Sequence, residues 1–379
     1  MSYKLKPLML GDLEVKVPII QGGMGVRVST APLAAAVAEC GGAGTIASVG
    51  LPPDTPENRA DVPKSSREHL QKQIRQAREL SKGAIGVNIM VALSNYEDLV
   101  RTTAKEDADF IISGAGLPIS LPEFAEGSDI KLIPLVASAR GTELLLKTWK
   151  RRYNRFPDAI VVEGPLSGGH VAGYKLKELN AMKDTMADKP LLENAMKDII
   201  ALAREYEKDN GVKIPVIAAG GVWGGEDMAK FLKMGAGGVQ IGTRFVATTE
   251  CSVADEFKQA YIDAGKDDIV FIQSPVGLPA KAIKTKFLED VLRGERKEFI
   301  CNYQCLRTCN PETVQYCVAK GLINAAEGDI DNAVVFAGTN VSRVKKIVSV
   351  KELMDEIVTD AEKAMEECAR NREFVVGSS

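Results

Sequence analysis

From residue 17 onward, short apolar runs alternate with longer stretches whose apolar residues recur every three or four positions. The runs are VPIIQG (17–22), AGTIAS (43–48), IGVNIMV (85–91), DFIISG (109–114), KLIPLVAS (131–138), AIVVEG (159–164), PVIAAGG (215–221) and GVQIGTRF (238–245). All are rich in Val and Ile and nearly continuous in hydrophobicity, as expected of parallel strands covered on both faces. Between them lie helical patterns: TAPLAAAVAEC (30–40), SSREHLQKQIRQAREL (65–80), LLENAMKDIIALAREYEKD (191–209) and GGEDMAKFLKMG (224–235). Ser29 or Thr30 suits the cap of the first, with Pro32 in its first turn. Eight strands alternating with helices over some 250 residues predict an α/β fold, a (β/α)8 TIM barrel; an open doubly wound sheet usually stops at fewer parallel strands.

The pattern breaks after about residue 250. Residues 1–250 are expected to form the barrel, and 251–345 a smaller, mainly helical cap. The amphipathic run SVKELMDEIVTDAEKAMEECARN (349–371) predicts a helix within 346–379 that returns to pack on the barrel. QSPVGLPAKAIKTKF (273–287) reads as a loop of the cap. The cap also holds four of the seven cysteines: Cys301, Cys305, Cys309 and Cys317. Their spacing would align the first three along one helical face, which could bind a metal or an iron–sulfur cluster. Asn310–Pro311–Glu312, however, looks like a helix start that would break that face. Packing as small hydrophobes is the favoured reading.

Composition adds little bias. Hydrophobic residues make up 45% and charged residues 26%, with a net charge of −3, which argues against a nucleic-acid or anionic-membrane partner. KTWKRR (147–152) and RVKK (343–346) read as solvated helix faces. No apolar run is long enough for a membrane span, the first residues lack a signal-peptide centre, and the odd cysteine count suits reduced thiols. A cytoplasmic protein is expected.

A barrel places its active site at the C-terminal ends of the strands. Those ends are glycine-rich here: QGGMG (21–25), SGAG (113–116), EGPLSGGH (163–170), AAGGV (218–222) and GTRF (242–245). Glycine lets backbone approach a flat or anionic ligand closely. Loops after the last two strands commonly hold a phosphate, so a phosphate-bearing cofactor is expected, without the G-x-G-x-x-G of a dinucleotide fold. Only two histidines occur. His69 sits among charged residues and reads as exposed on a helix, whereas His170 ends the sixth-strand glycine loop and suits acid–base work near neutral pH. Neither a metal site within the barrel nor a Ser-His-Asp triad can be assembled from these spacings. IMP-dehydrogenase-like chemistry would need a nucleophilic cysteine in a barrel loop; Cys40 and Cys251 are poorly placed for that.

IIQGGMG, GVNIM, EGPLSGGH, AAGGVWGGEDMAKFLKMGAGGVQIGTRF and SPVGLPAK together resemble the nitronate monooxygenase (2-nitropropane dioxygenase) family over about residues 10–290. The flavin-dependent enoyl-acyl-carrier-protein reductases are similar. The resemblance implies an FMN-dependent oxidoreductase that oxidises alkyl nitronates or nitroalkanes with O2, with His170 as catalytic base. It implies that Gly22, Gly23 and Met24 line the flavin ring and that Asn88 hydrogen-bonds the cofactor. Gly168 and Gly169 would pack on it, and Gly220, Gly221, Gln240, Gly242 and Thr243 would hold its phosphate region. Glu163 also belongs to the expected cofactor site, where the oxygenases usually have Gln. Leu166 replaces the Glu of the usual motif. Glu163 is closer to the reductase branch, so an NAD(P)H-dependent enoyl reductase is the alternative, and a non-catalytic flavin binder the reading of another class. The expected partners are a small-molecule substrate and O2 or NAD(P)H, for a chain that could pair as a homodimer.

Overall fold

The computed structural model describes residues 3–49 and 61–376, excepting the side chains of 369–376. The ends of the expected first and third segments, residues 1–2 and 377–379, lie outside it. A two-stranded hairpin, β1 (Leu8–Leu10) and β2 (Leu13–Val15), comes first. Eight parallel strands then close on themselves: β3 (Ile19–Gln21), β4 (Ala43–Ala47), β5 (Ala84–Met90), β6 (Phe110–Gly114), β7 (Lys131–Val136), β8 (Ile160–Glu163), β10 (Val216–Ala219) and β11 (Gly238–Ile241). β11 pairs with β3 to complete the (β/α)8 barrel. Each strand lies inside one of the eight apolar runs, except that β5 starts one residue before its run. The eighth run ends early because Thr243–Val246 turns helical.

Strand alternation sorts side chains between two layers. On β5, Ile85, Val87 and Ile89 join the outer layer that packs under the helices, while Ala84 faces the barrel interior. Asn88, in register with Ala84 on the same face, reaches the cavity at the barrel mouth. Phe110, Ile112, Ile133, Val161 and Ile217 fill the interior, and Leu8, Leu10 and Val15 of the hairpin plug its lower end. A filled barrel leaves only its upper mouth for a ligand.

The cap is mixed. A dipeptide strand, β9 (Gly169–His170), joins β12 (Ile269–Gln273), β13 (Pro279–Ile283) and β14 (Val335–Phe336) in a small antiparallel sheet centred on β13. Residues 273–287 are therefore not a loop: they hold the turn of a hairpin, the strand β13 and the start of helix Lys286–Leu292. A strand alternating Ala280, Lys281 and Ala282 carries no apolar period, so its pairing could not be read from hydropathy. The expected helices around the cysteines are also absent, for residues 301–317 are irregular and the next helix runs Val318–Glu327. RVKK likewise lies largely in irregular backbone beyond the short turn Thr339–Arg343. His69 is half-buried, and burial with the nearby charges of Arg27 and Lys72 lowers its pKa. Thr30 occupies the first helix's N-cap without a side-chain capping bond.

The helix Val350–Val376 does return to the barrel, crossing helix Gly225–Lys233. A Cβ on Gly225 would stand 2.3 Å from Ala361 N and 2.5 Å from Ile357 O. Gly225→Ala should thus wedge the two helices apart despite alanine's better helix propensity, destabilising the fold by about 1–3 kcal/mol. Thermal unfolding of the variant checks this: an unchanged or raised Tm contradicts the close contact.

Candidate active site

The thirteen residues expected at the site lie on five different strand ends and on β9, yet all line one cavity at the barrel mouth: Gly22, Gly23, Met24, Asn88, Glu163, Gly168, Gly169, His170, Gly220, Gly221, Gln240, Gly242 and Thr243.

Local clasps hold the loops. Buried Gln21 accepts from Thr45 N at 3.0 Å and donates from Nε2 to Ser29 Oγ at 2.7 Å. Ser29 Oγ in turn accepts from Met24 N at 2.9 Å, so Ser29 braces the Gly22–Met24 loop rather than capping a helix. Gly220 takes a φ of +80°, the left-handed region that disfavours a side chain, and its missing Cβ would meet Gly164 O at 2.5 Å. That contact draws the loops after β8 and β10 together. Asn340 Nδ2 donates to Gly221 O at 3.0 Å, and Gly338 N to Thr243 Oγ1 at 3.3 Å. Trp223, at the same end, has the guanidinium groups of Arg244 and Arg343 over its ring, 4.8 and 4.7 Å from the ring centre.

His170 is placed by β13. Its backbone pairs with Ala280, its Nε2 lies 2.8 Å from the buried Ser274 Oγ, and its ring meets Phe336 edge-on at 5.1 Å. Burial alone drives its pKa down to about 4, so the ring is neutral at physiological pH. Lys281, one residue further along β13, is 1% exposed. Its Nζ donates to Pro165 O at 2.8 Å and to Thr339 Oγ1 at 2.6 Å, tying the loop after β8 to the cap. Burial lowers its pKa to about 7, opposed by the Glu163 carboxylate. Burial raises Glu163 to about 8, opposed by the Lys281 ammonium.

Four buried side-chain oxygens lack a hydrogen-bond partner among the described residues, and two of them, Ser167 Oγ and Gln240 Oε1, belong to residues of the cavity wall. An orphaned buried polar atom costs about 1–3 kcal/mol. Combined with glycine walls that admit a close, flat ligand, these atoms suit a polar, phosphorylated cofactor. Among the described residues no group of His, Cys, Asp and Glu is gathered to hold a metal ion.

A family model described as nitronate monooxygenase matches residues 6–106 and 77–360. The chain belongs to the nitronate monooxygenase family. A relative described as a probable nitronate monooxygenase, from Staphylococcus saprophyticus, is 25% identical over 320 residues, covering 75% of this chain and 80% of its own. A Mycobacterium tuberculosis protein described as (3aS,4S,5R,7aS)-5-hydroxy-7a-methyl-1-oxo-octahydro-1H-indene-4-carboxyl-CoA dehydrogenase is 28% identical over 279 residues. That match covers 74% of this chain but only 66% of the relative's length. Among solved structures, FabK from Thermotoga maritima superposes with a TM-score of 0.71 at 26% identity, over 94% of this chain and 96% of its own. Nitroalkane oxidase from Streptomyces ansochromogenes shares the fold, with a TM-score of 0.70 at 19% identity over 93% and 97%. The family is one of oxidoreductases. No helix among the described residues is long and apolar enough to cross a membrane.

Sequence reasoning for this family member missed Ser274, Lys281, Phe336 and Asn340. Lys281 and Ser274 lie within the SPVGLPAK motif, but nothing in that string shows that it folds over the sixth-strand loop. The depressed His170 value gives a signed prediction. Its neutral-state contribution to stability is full above the free value of 6.5 and is lost as pH falls through about 4, because the unfolded chain binds the proton first. In a His69→Gln variant, which leaves one imidazole, NMR titration should find His170 still neutral at about pH 5.5; a midpoint at or above 6.5 contradicts the burial.

Proposed function

We propose that this family member is an FMN-dependent oxidase or monooxygenase of alkyl nitronates and nitroalkanes, with His170 as its proton-handling residue. The observation that carries the reading is the convergence of His170 with the glycine walls and the unpartnered Ser167 and Gln240 on one cavity. Bound there, FMN would supply the electron-accepting ring system that the side chains lack. Gly220, Gly221, Gly242 and Thr243 would hold its phosphate, and Gly22, Gly23, Met24 and Asn88 its ring. The chain's own chemistry is proton transfer. In the tautomer whose Nε2–H donates to Ser274 Oγ, the Nδ1 lone pair of the neutral His170 would be free to take the α-proton of a nitroalkane. A nitronate is already deprotonated, and the same nitrogen then orients it. Burial, to which the Phe336 ring at 5.1 Å contributes, keeps the imidazole neutral.

A second reading has its own support. Glu163 on the cavity wall and the 26% identity with FabK favour an NAD(P)H-dependent reductase of an enoyl thioester. The purified protein should be yellow and should consume oxygen with a propyl nitronate in the absence of NAD(P)H. His170→Asn should retain the chromophore and lose turnover of the neutral nitroalkane by about 10²–10⁴-fold. Absent oxygen uptake, together with NADPH-dependent reduction of an enoyl thioester, moves the assignment to the reductase.

Lys281→Met removes both bonds that tether the sixth-strand loop while roughly keeping the side chain's volume. Its FMN affinity, read by quenching of flavin fluorescence, should fall at least about tenfold, equivalent to about 1.4 kcal/mol. Unchanged affinity would mean that the loop is held without the ammonium.

A further inference from the structure

We propose, on the flavin reading above, that Arg343, held over the Trp223 ring, neutralises the phosphate of the cofactor, so that the site selects FMN over riboflavin. The cavity's own charges are unbalanced for such a group. Of the described residues that line it, none is Lys or Arg, and Glu163 is their one acidic residue. The loops that carry Gly220, Gly221, Gly242 and Thr243 offer backbone N–H groups, which suit phosphate oxygens but carry no net charge. A phosphate monoester brings about −1.5 to −2 charges at neutral pH. Asp227 adds to the negative side, because its carboxylate accepts from Trp223 N at 2.8 Å, just beyond Gly221. A dianion at this end calls for a cation within reach.

Two guanidinium groups lie there, and their engagements differ. Trp223 lines the cavity, with Arg244 4.8 Å and Arg343 4.7 Å from its ring centre. Arg244 is committed to Glu356: Nη1 donates at 2.8 Å and Nη2 at 3.0 Å to the two carboxylate oxygens. Arg343 makes no ion pair among the described residues, and its contact is the indole. Cation–π attraction over a ring uses none of the N–H donors, so those of Arg343 stay available for a bidentate contact with phosphate.

The backbone ties Arg343 to the same end by a second route. Thr339–Arg343 is a short 3-10 helix, in which side chains three positions apart lie above one another. Asn340 and Arg343 therefore share a face. Asn340 lines the cavity and donates from Nδ2 to Gly221 O at 3.0 Å. Gly338, just before the helix, donates from N to Thr243 Oγ1 at 3.3 Å. The helix is thus bonded to both loops expected at the phosphate, and it carries Arg343 beside them. Arg343 itself is exposed, so its charge is open to screening by salt.

The full chain, freed of any bound flavin, is titrated with FMN and with riboflavin, and binding is read by quenching of flavin fluorescence. Wild type should bind FMN more tightly. Arg343→Gln should weaken FMN at least about tenfold and leave riboflavin unchanged. Arg343→Lys, which restores the charge but not the fork of donors, should recover part of the loss. Added salt should narrow the wild-type preference for FMN, a measurement that stands without any variant. An equal loss for both flavins would make Arg343 a residue that merely shapes the site and would overturn the proposal. Unchanged FMN affinity in Arg343→Gln, or a wild type that binds the two flavins equally, would overturn it as well. A wild type that binds neither flavin would overturn the flavin reading itself, and this assignment with it.

Discussion

The site depends on the antiparallel pairing of β13 with β9. The loop after β8 has no helix of its own to stiffen it, and its glycines leave the backbone free to wander. β13 holds it twice: through the ladder that pairs Ala280 with His170 and Lys281 with Gly169, and through the Lys281 ammonium on Pro165 O. The same hairpin brings Ser274 to the imidazole, and β14 brings Phe336. A ladder fixes direction and register, so the histidine points into the cavity at a set depth. Without the cap, the barrel would still have a mouth but nothing to place His170 at it.

Burial of ionisable groups follows from the same closure. Glu163, His170 and Lys281 are all withdrawn from water, and each is pushed toward its neutral form by that loss. Glu163 and Lys281 partly restore one another's charge, while His170 has no charged partner. The imidazole is therefore neutral across the physiological range. Two oxygens accept hydrogen bonds from the Lys281 Nζ, partners that an unpaired buried amine would lack.

Much of this was readable in advance. Val- and Ile-rich runs at regular spacing mark strands covered on both faces, and the glycines fall at their C-terminal ends, where a barrel gathers its loops. That placed Gly22, Gly220 and Thr243 at one barrel mouth, and the family resemblance added Asn88, although these residues are scattered over more than two hundred positions. The cap was harder. β13 alternates alanine with lysine, so it carries no hydrophobic period, and its partner β9 is only two residues long. His69 was misjudged because charged neighbours in sequence do not reveal the packing on the other side of its helix.

Local chemistry thus dictated the strands, the order of the barrel and the glycine-lined mouth, because hydrophobic period and chain flexibility are properties of short segments. Folding in three dimensions set the rest: the tether from Lys281 and the hydroxyl beside His170. Each of those requires residues about a hundred positions apart to meet through backbone pairing and buried hydrogen bonds. Contacts of that kind leave no periodic trace along the chain.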